Sequence, residues 1–138
     1  MARILMAEDD GLVADAVQTM LRSGGHDVIL ASHGEEAIRL FREQAFDLVL
    51  SDVHMPGKDG LEVTEEIRRL SPDIPIVSMT GSYPRDTGGA HLDPAFLIAS
   101  KKVGATRVIA KPFRAREILA LVLECLVAKK RAEGEKMH

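Results

Sequence analysis

"FDLVLSDVHMPGKDG", residues 46–60, joins two kinds of segment. Leu48-Val49-Leu50 is an apolar run of strand length, and it stops at Ser51-Asp52. A turn-rich stretch with Pro56, Gly57 and Gly60 follows. Asp59, with Glu62 three residues on, then opens a helical pattern carrying Val63, Ile67 and Leu70 on one face. The unit is therefore a buried strand, a turn and an amphipathic helix. Its strand ends on a carboxylate, which either caps the strand or is held there for chemistry.

Reading outward, the same alternation recurs four more times. Apolar runs of strand length are Ile4–Ala7, Val28–Ala31, Ile74–Met79 and Val108–Ala110. Leu12, Val13, Ala16, Val17, Met20 and Leu21 form a helical stripe that Gly24-Gly25 ends. Ser32 with Glu35 predicts a capping box for a second helix, with Ala37, Ile38 and Phe41 inward. Asp93-Pro94 reads as an N-cap and first turn of a fourth helix that ends near Gly104. A fifth spans roughly residues 115–128, with Ile118, Leu119, Val122, Cys125 and Leu126 inward. Strand runs without polar alternation are covered on both faces. The order βαβαβαβαβα thus predicts an α/β fold, a doubly wound parallel sheet between helix layers. In such sheets ligands bind beyond the carboxyl ends of the strands.

The 138 residues, 46% hydrophobic and 28% charged, suit one domain with its own core. That domain is expected over 1–127, with a polar, frayed tail at 128–138. The net charge of −3 gives no electrostatic case for a nucleic-acid partner. One cysteine, Cys125, excludes an internal disulfide and fits a reducing compartment. The apolar run behind Met1-Ala2-Arg3 is too short for a signal peptide, and no run approaches a membrane span. A cytoplasmic protein without membrane contact is expected. The five histidines show no zinc-like spacing. Gly81–Leu92 is glycine-rich, lacks apolar periodicity and reads as a surface loop.

The strand ends carry the polar groups. Glu8, Asp9 and Asp10 follow the first strand, Asp52 the third, Thr80 the fourth and Lys111-Pro112 the fifth. If the first and third strands are neighbours, Glu8, Asp9 and Asp52 converge. Two carboxylates ~4 Å apart repel by roughly 4 kcal/mol at an effective dielectric near 20. Such a cluster needs a cation or must take up protons. An all-oxygen donor set suits a hard divalent ion, Mg²⁺ in particular. With the Lys111 ammonium and the Thr80 hydroxyl it makes a pocket for a phosphoryl group. Asp10 reads as a helix N-terminal acid.

Four motifs in this order resemble the receiver domain of bacterial two-component response regulators, in its single-domain form: "ILMAEDD", "DLVLSDVHMPGKDG", "IPIVSMTG" and "IAKPF". The likeness runs from about Arg3 to Leu126. It implies a five-stranded flavodoxin-like (βα)5 fold with strand order 2-1-3-4-5. It implies that Asp52 accepts a phosphoryl group from a histidine kinase or phosphotransfer protein. Mg²⁺ would be bound by Glu8, Asp9, Asp52 and the backbone carbonyl of His54. Lys111 would pair with Asp52 and then with the phosphoryl group, and Thr80 would hydrogen-bond that group. Pro112 would follow a cis peptide bond. The change would reach a downstream protein through the fourth helix and fifth strand face.

Two features depart from the family. Val108 stands where receivers commonly carry Tyr or Phe, and the long connection after Thr80, with Tyr83, lies in the usual responsive region. They point to that connection and the fourth helix as the responsive element. The chain reads as a regulator rather than a turnover enzyme. A piece of a longer regulator would read the same. Two alternatives are a receiver-like interaction module that works without phosphorylation and a Mg²⁺-dependent phosphohydrolase. Against the latter, His54 occupies the position of the usual second aspartate.

Overall fold

The five apolar runs are the strands of one sheet: β1 (Arg3–Ala7), β2 (Asp27–Ala31), β3 (Leu48–Asp52), β4 (Ile76–Gly81) and β5 (Arg107–Lys111). Between and after them run α1 (Gly11–Ser23), α2 (Gly34–Glu43), α3 (Gly60–Leu70), α4 (Pro94–Lys102) and α5 (Ala115–Lys136). All neighbouring strands are parallel, in the order β2-β1-β3-β4-β5. The doubly wound flavodoxin-like α/β fold expected from the sequence is the fold observed. These elements come from a computed structural model that describes residues 1–55, 57–81 and 94–136. The sequence readings of the connection after Gly81, of Tyr83 and of the Asp93 cap fall outside those residues.

The two-residue period of a strand sends successive side chains to opposite faces. Ile4, Met6, Leu48, Leu50, Val77 and Met79 face one side, under Val17 and Leu21 of α1 and Ile118, Val122 and Cys125 of α5. Leu5, Ala7, Val49 and Ile76 face the other, under Ala37 and Ile38 of α2 and Val63 and Ile67 of α3. Both layers are needed, which is why the runs show no polar alternation. Between them, Arg68 of α3 donates to the carbonyls of Ser71, Pro72, Ile74 and Gly104, at 2.7–3.2 Å. One guanidinium thereby ties the end of α3 to the turn after α4.

Several local expectations need correction. The N-cap of α2 is His33, whose Nδ1 accepts from Glu36 N; Glu36 in turn accepts from Ser32 N. The box predicted for Ser32 and Glu35 is thus shifted by one residue. β4 starts two residues later than read and takes in Thr80 and Gly81, while β3 runs on through Asp52. Leu12 is 85% exposed and Leu70 lies on the surface, so the two helical stripes are not wholly inward. The largest difference is at the C-terminus. Residues 129–136 continue α5 rather than fray, and Lys129 pairs with Glu133 one turn on. Lys129, Lys130 and Arg131 therefore lie inside this helix. Strong helix formers (Ala, Lys, Arg, Glu) carry it on past Gly134, and Lys129, Lys130 and Glu133 lie against Met1, Ala2 and Asp47.

α3 starts hard against the end of β3. Gly60 N donates to the Val53 carbonyl at 3.0 Å, and a Cβ at Gly60 would lie 1.9 Å from the Asp52 carbonyl oxygen. Gly60→Ala must push α3 off the strand end, so a loss of about 3 kcal/mol is expected, the upper part of the overpacking range. Gly11→Ala meets nothing within 4 Å and should be neutral or stabilising by about 0.5 kcal/mol. Urea unfolding midpoints of the two variants test the contrast.

Candidate functional site

Parallel pairing puts all five carboxyl strand ends at one edge of the sheet. In register, Ala7 lies beside Ser51, Asp52 beside Met79, Thr80 beside Ala110 and Gly81 beside Lys111. Glu8 and Asp9 leave the end of β1, Asp52 ends β3, Thr80 is the next-to-last residue of β4 and Lys111 ends β5. The β1–β3 adjacency on which the convergence depends is present.

One carboxylate oxygen from each of Glu8, Asp9 and Asp52 lies within 4.8 Å of the others. Glu8 and Asp52 are buried, and Asp9 is exposed at the mouth. Lys111 Nζ bridges the buried pair, donating to Glu8 Oε1 at 2.9 Å and to Asp52 Oδ2 at 3.2 Å. His54 N donates to Asp52 Oδ1 at 3.1 Å. Both Asp52 oxygens therefore have donors, which fixes the plane of the carboxylate. Asp10 stands apart: its Oδ1 accepts from Leu12 N and Val13 N and caps α1, the helix role read for it in the sequence.

The electrostatics follow from burial and crowding. Burial pushes the Glu8 carboxyl up to about 7, and the Asp52 carboxylate beside it adds to the rise. Burial works against the Lys111 ammonium, but its hydrogen bond to Glu8 and the charge of Asp52 outweigh it and hold its pKa above the ordinary value. Lys111 is thus a fixed positive charge at neutral pH, whereas Glu8 can exchange a proton there. With every carboxyl ionised, three negative charges face one positive charge. A hydroxyl completes the rim of this edge. Thr80 Oγ1 is fully buried and has no hydrogen-bond partner among the described residues. A buried hydroxyl left unpaired costs about 1–3 kcal/mol, so it marks a place where a ligand oxygen can bind.

His54 lies at the rim with its side chain exposed. Its ring meets the edge of Phe96 in α4, with centroids 4.6 Å apart and planes at 88°. Nothing in the sequence tied Phe96 to the strand ends, because its nearest strand-end residue, Thr80, lies a whole connection away. Gly60 was also missed: it reads as a turn residue, and only the fold shows that it makes room for Asp52. Lys111–Pro112 is a cis peptide, and Cys125 is buried in the core. Val108 is half-buried opposite Ser78.

Comparison with known proteins identifies the family. A family model described as "Response regulator receiver domain" matches residues 4–123. The response regulator protein FleR of Pseudomonas aeruginosa is 34% identical over 121 residues, covering 88% of this chain and 24% of FleR. The transcriptional regulatory protein ZraR of Escherichia coli is 37% identical over 109 residues, covering 79% of this chain and 23% of ZraR. The chain thus spans about a quarter of the length of these curated relatives. A crystal structure of a response regulator receiver domain protein from Clostridium thermocellum superposes with a TM-score of 0.83 at 26% identity, covering 96% of this chain and 99% of that one. The family match runs from β1 into α5 and takes in every strand end that carries the polar cluster, and on that ground the chain belongs to the response regulator receiver domain family.

Proposed function

We propose that Asp52 is the phosphoacceptor of a signalling domain. A carboxylate oxygen of Asp52 attacks the phosphorus of a phosphohistidine on a histidine kinase or phosphotransfer protein. The P–N bond breaks as the O–P bond forms, the imidazole nitrogen keeps the electron pair, and Asp52 becomes an acyl phosphate. The observation that carries the reading is the joint presence of a buried carboxylate bridged by Lys111 and the unpartnered hydroxyl of Thr80. Lys111 releases Asp52 and pairs with a phosphoryl oxygen, and the Thr80 hydroxyl donates to another. The product satisfies a donor that the free site leaves orphaned.

The donor set fits a hard divalent cation: oxygen only, two buried carboxylates and one exposed. Glu8, Asp9, Asp52 and the His54 carbonyl would hold Mg²⁺. When bound, Mg²⁺ neutralises charge on the phosphoryl oxygens. The donor protein docks beside α1. There Leu12 is exposed, and Val13, Ala16 and Met20 line an apolar groove with Pro112 and Phe113 that reaches Lys111. The domain acts as a regulator in the cytoplasm through protein contacts, with neither nucleic acid nor membrane as its partner. Among the described residues no helix is long and apolar enough to cross a membrane.

The response runs to α4 and β5. Val108 offers no ring to reorient, but the His54–Phe96 contact joins the loop after Asp52 directly to the first turns of α4. That helix exposes Ile98 (66%) and buries only Ser100. Ile98 offers an apolar side chain to a downstream protein.

Three measurements test this. Incubation with a small phosphodonor and Mg²⁺, read by intact mass, should add one phosphoryl group to the parent and none to Asp52→Asn. Equal labelling of both places the acceptor elsewhere, and no labelling of the parent assigns the domain to interaction without phosphoryl transfer. Mg²⁺ affinity should depend on pH through Glu8. Its folded pKa is raised to about 7, so below that value the carboxyl is protonated and the cation must displace a proton. Affinity should fall about fivefold from pH 7 to pH 6, and Glu8→Gln should flatten the profile. The metal-free fold has the corresponding dependence: a raised carboxyl pKa favours folding below the unfolded value of 4.5, and this contribution is lost as pH climbs through 7. Finally, Phe96→Ala should leave labelling intact while abolishing the change in hydrogen exchange of α4 on adding beryllofluoride. A change equal to the parent's removes Phe96 from the route.

A further inference from the structure

Lys58 sits in the loop that leaves Asp52, just before Asp59, the N-cap of α3. A loop lysine is ordinarily a solvated charge. This one donates from Nζ to Oε2 of Glu66, in the middle of α3, at 2.6 Å, and the two side chains are only 31% and 25% exposed. The other oxygen of Glu66 faces Arg42 of α2 at 3.5 Å. One carboxylate is therefore held on both oxygens, by a cation from the loop and a cation from α2. The loop backbone is held as well. A Cβ at Gly34, the first residue of α2, would overlap the Lys58 carbonyl oxygen, so the loop rests directly on the start of that helix.

The base of the same loop is at the acid cluster. Gly60 N donates to the Val53 carbonyl at 3.0 Å and closes the loop, and His54 N donates to Asp52 Oδ1 at 3.1 Å. Val53 and Met55 are buried, which holds the half of the loop next to Asp52. Gly57 is exposed and lies at φ 75°, a bend that glycine makes without strain. Beyond that bend the loop is tied down by the Lys58–Glu66 pair and the contact with Gly34.

We propose that Lys58 is a positioning residue for the divalent cation of the acid cluster: its pair with Glu66 keeps the loop in the shape in which His54 meets Asp52. The proposal rests on the reading above that the three acids and the His54 carbonyl hold Mg²⁺. Glu66 belongs to no metal-ligating group among the described residues, so the effect is indirect. A partly desolvated, charge-assisted pair holds more firmly than a fully exposed one. Without it the loop visits other shapes, and the cation binds only the molecules that have the right one. Apparent Kd is the intrinsic Kd divided by that fraction, so a loop correctly shaped about a fifth of the time binds about fivefold more weakly.

Calorimetric titration of the full chain with Mg²⁺, without a phosphodonor, tests the proposal. Lys58→Met keeps the apolar stem and removes the charge, and it should raise Kd about fivefold. Lys58→Arg keeps the charge and should stay within about twofold of the parent. In a Glu66→Gln background Lys58→Met should add less than about twofold, because the pair is already broken. Amide exchange at His54 and Gly60 should quicken in Lys58→Met while the β3 amides hold. If the parent binds Mg²⁺ and Lys58→Met leaves Kd unmoved, the proposal is overturned, whatever happens to the urea midpoint. A parent that binds no Mg²⁺ overturns the metal reading itself, and the proposal with it. Full additivity with Glu66→Gln rejects Glu66 as the group through which Lys58 acts. Lost stability does not imitate the expected result: while nearly all molecules stay folded, a lower midpoint leaves Kd where it was.

Discussion

The ammonium of Lys111 between two buried carboxylates is the interaction on which the rest of the structure depends. Neither Glu8 nor Asp52 could stay buried and ionised alone, because a carboxylate taken out of water without a partner protonates instead. Lys111 can reach both only because the strands are parallel and in register. It ends β5, while Asp52 ends β3, with β4 between them. Strands sit about 4.8 Å apart, so the span across β4 is close to 10 Å. A long flexible side chain can cross it, and a rigid one cannot. Twist and register of the whole sheet are thereby expressed at a single atom, Lys111 Nζ.

That arrangement is not optimised for stability. Three carboxyl groups gather at one ammonium that bonds two of them, and at the end of β4 a threonine hydroxyl is buried unpaired. A surface built for stability would drop one acid or give Thr80 an acceptor. Local features that oppose the fold and still persist are found where function requires them. Here they make opposite demands, a cation for the acids and an acceptor for the hydroxyl. A phosphoryl group bound with a divalent ion meets both at once. A metal alone would leave Thr80 unpaired, and a phosphate alone would add to the negative charge.

The legible part of the sequence was the part fixed by short-range periodicity and by parallel topology. Five apolar runs with helical stripes between them specify a doubly wound sheet, and such a sheet carries every strand end to one edge. Glu8, Asp9, Asp52 and Lys111 could therefore be placed at one edge from their positions, while the β1–β3 adjacency that brings the acids together came from the resemblance to the family. What could not be read depended on end effects or on distant neighbours. The capping competition at α2 is between adjacent residues with similar side-chain acceptors, and His33 takes the place read for Ser32. Residues 129–136 look like a polar tail because their helix has no apolar buried face to leave a period; a Lys129–Glu133 pair and the neighbouring N-terminus help to carry it. Gly60 and Phe96 matter through contacts with Asp52 and His54 that no spacing rule encodes.

Packing sets α4 apart from the other helices. A helix is held by what it buries, and α4 buries a single serine whose hydroxyl has no partner among the described residues. α1, α2, α3 and α5 each place two or more apolar side chains in the core. Moving any of those four exposes apolar surface at roughly 25 cal/mol per Å², whereas the apolar side chains of α4 are at most half-buried and a shift of that helix exposes less. It is also the helix in ring contact with the loop that leaves Asp52. A small rearrangement at the strand ends therefore meets a stiff core on four sides and a compliant helix on the fifth. In the function proposed above, the chemistry at Asp52 would act outward through α4, because the other four helices are held by apolar side chains in the core.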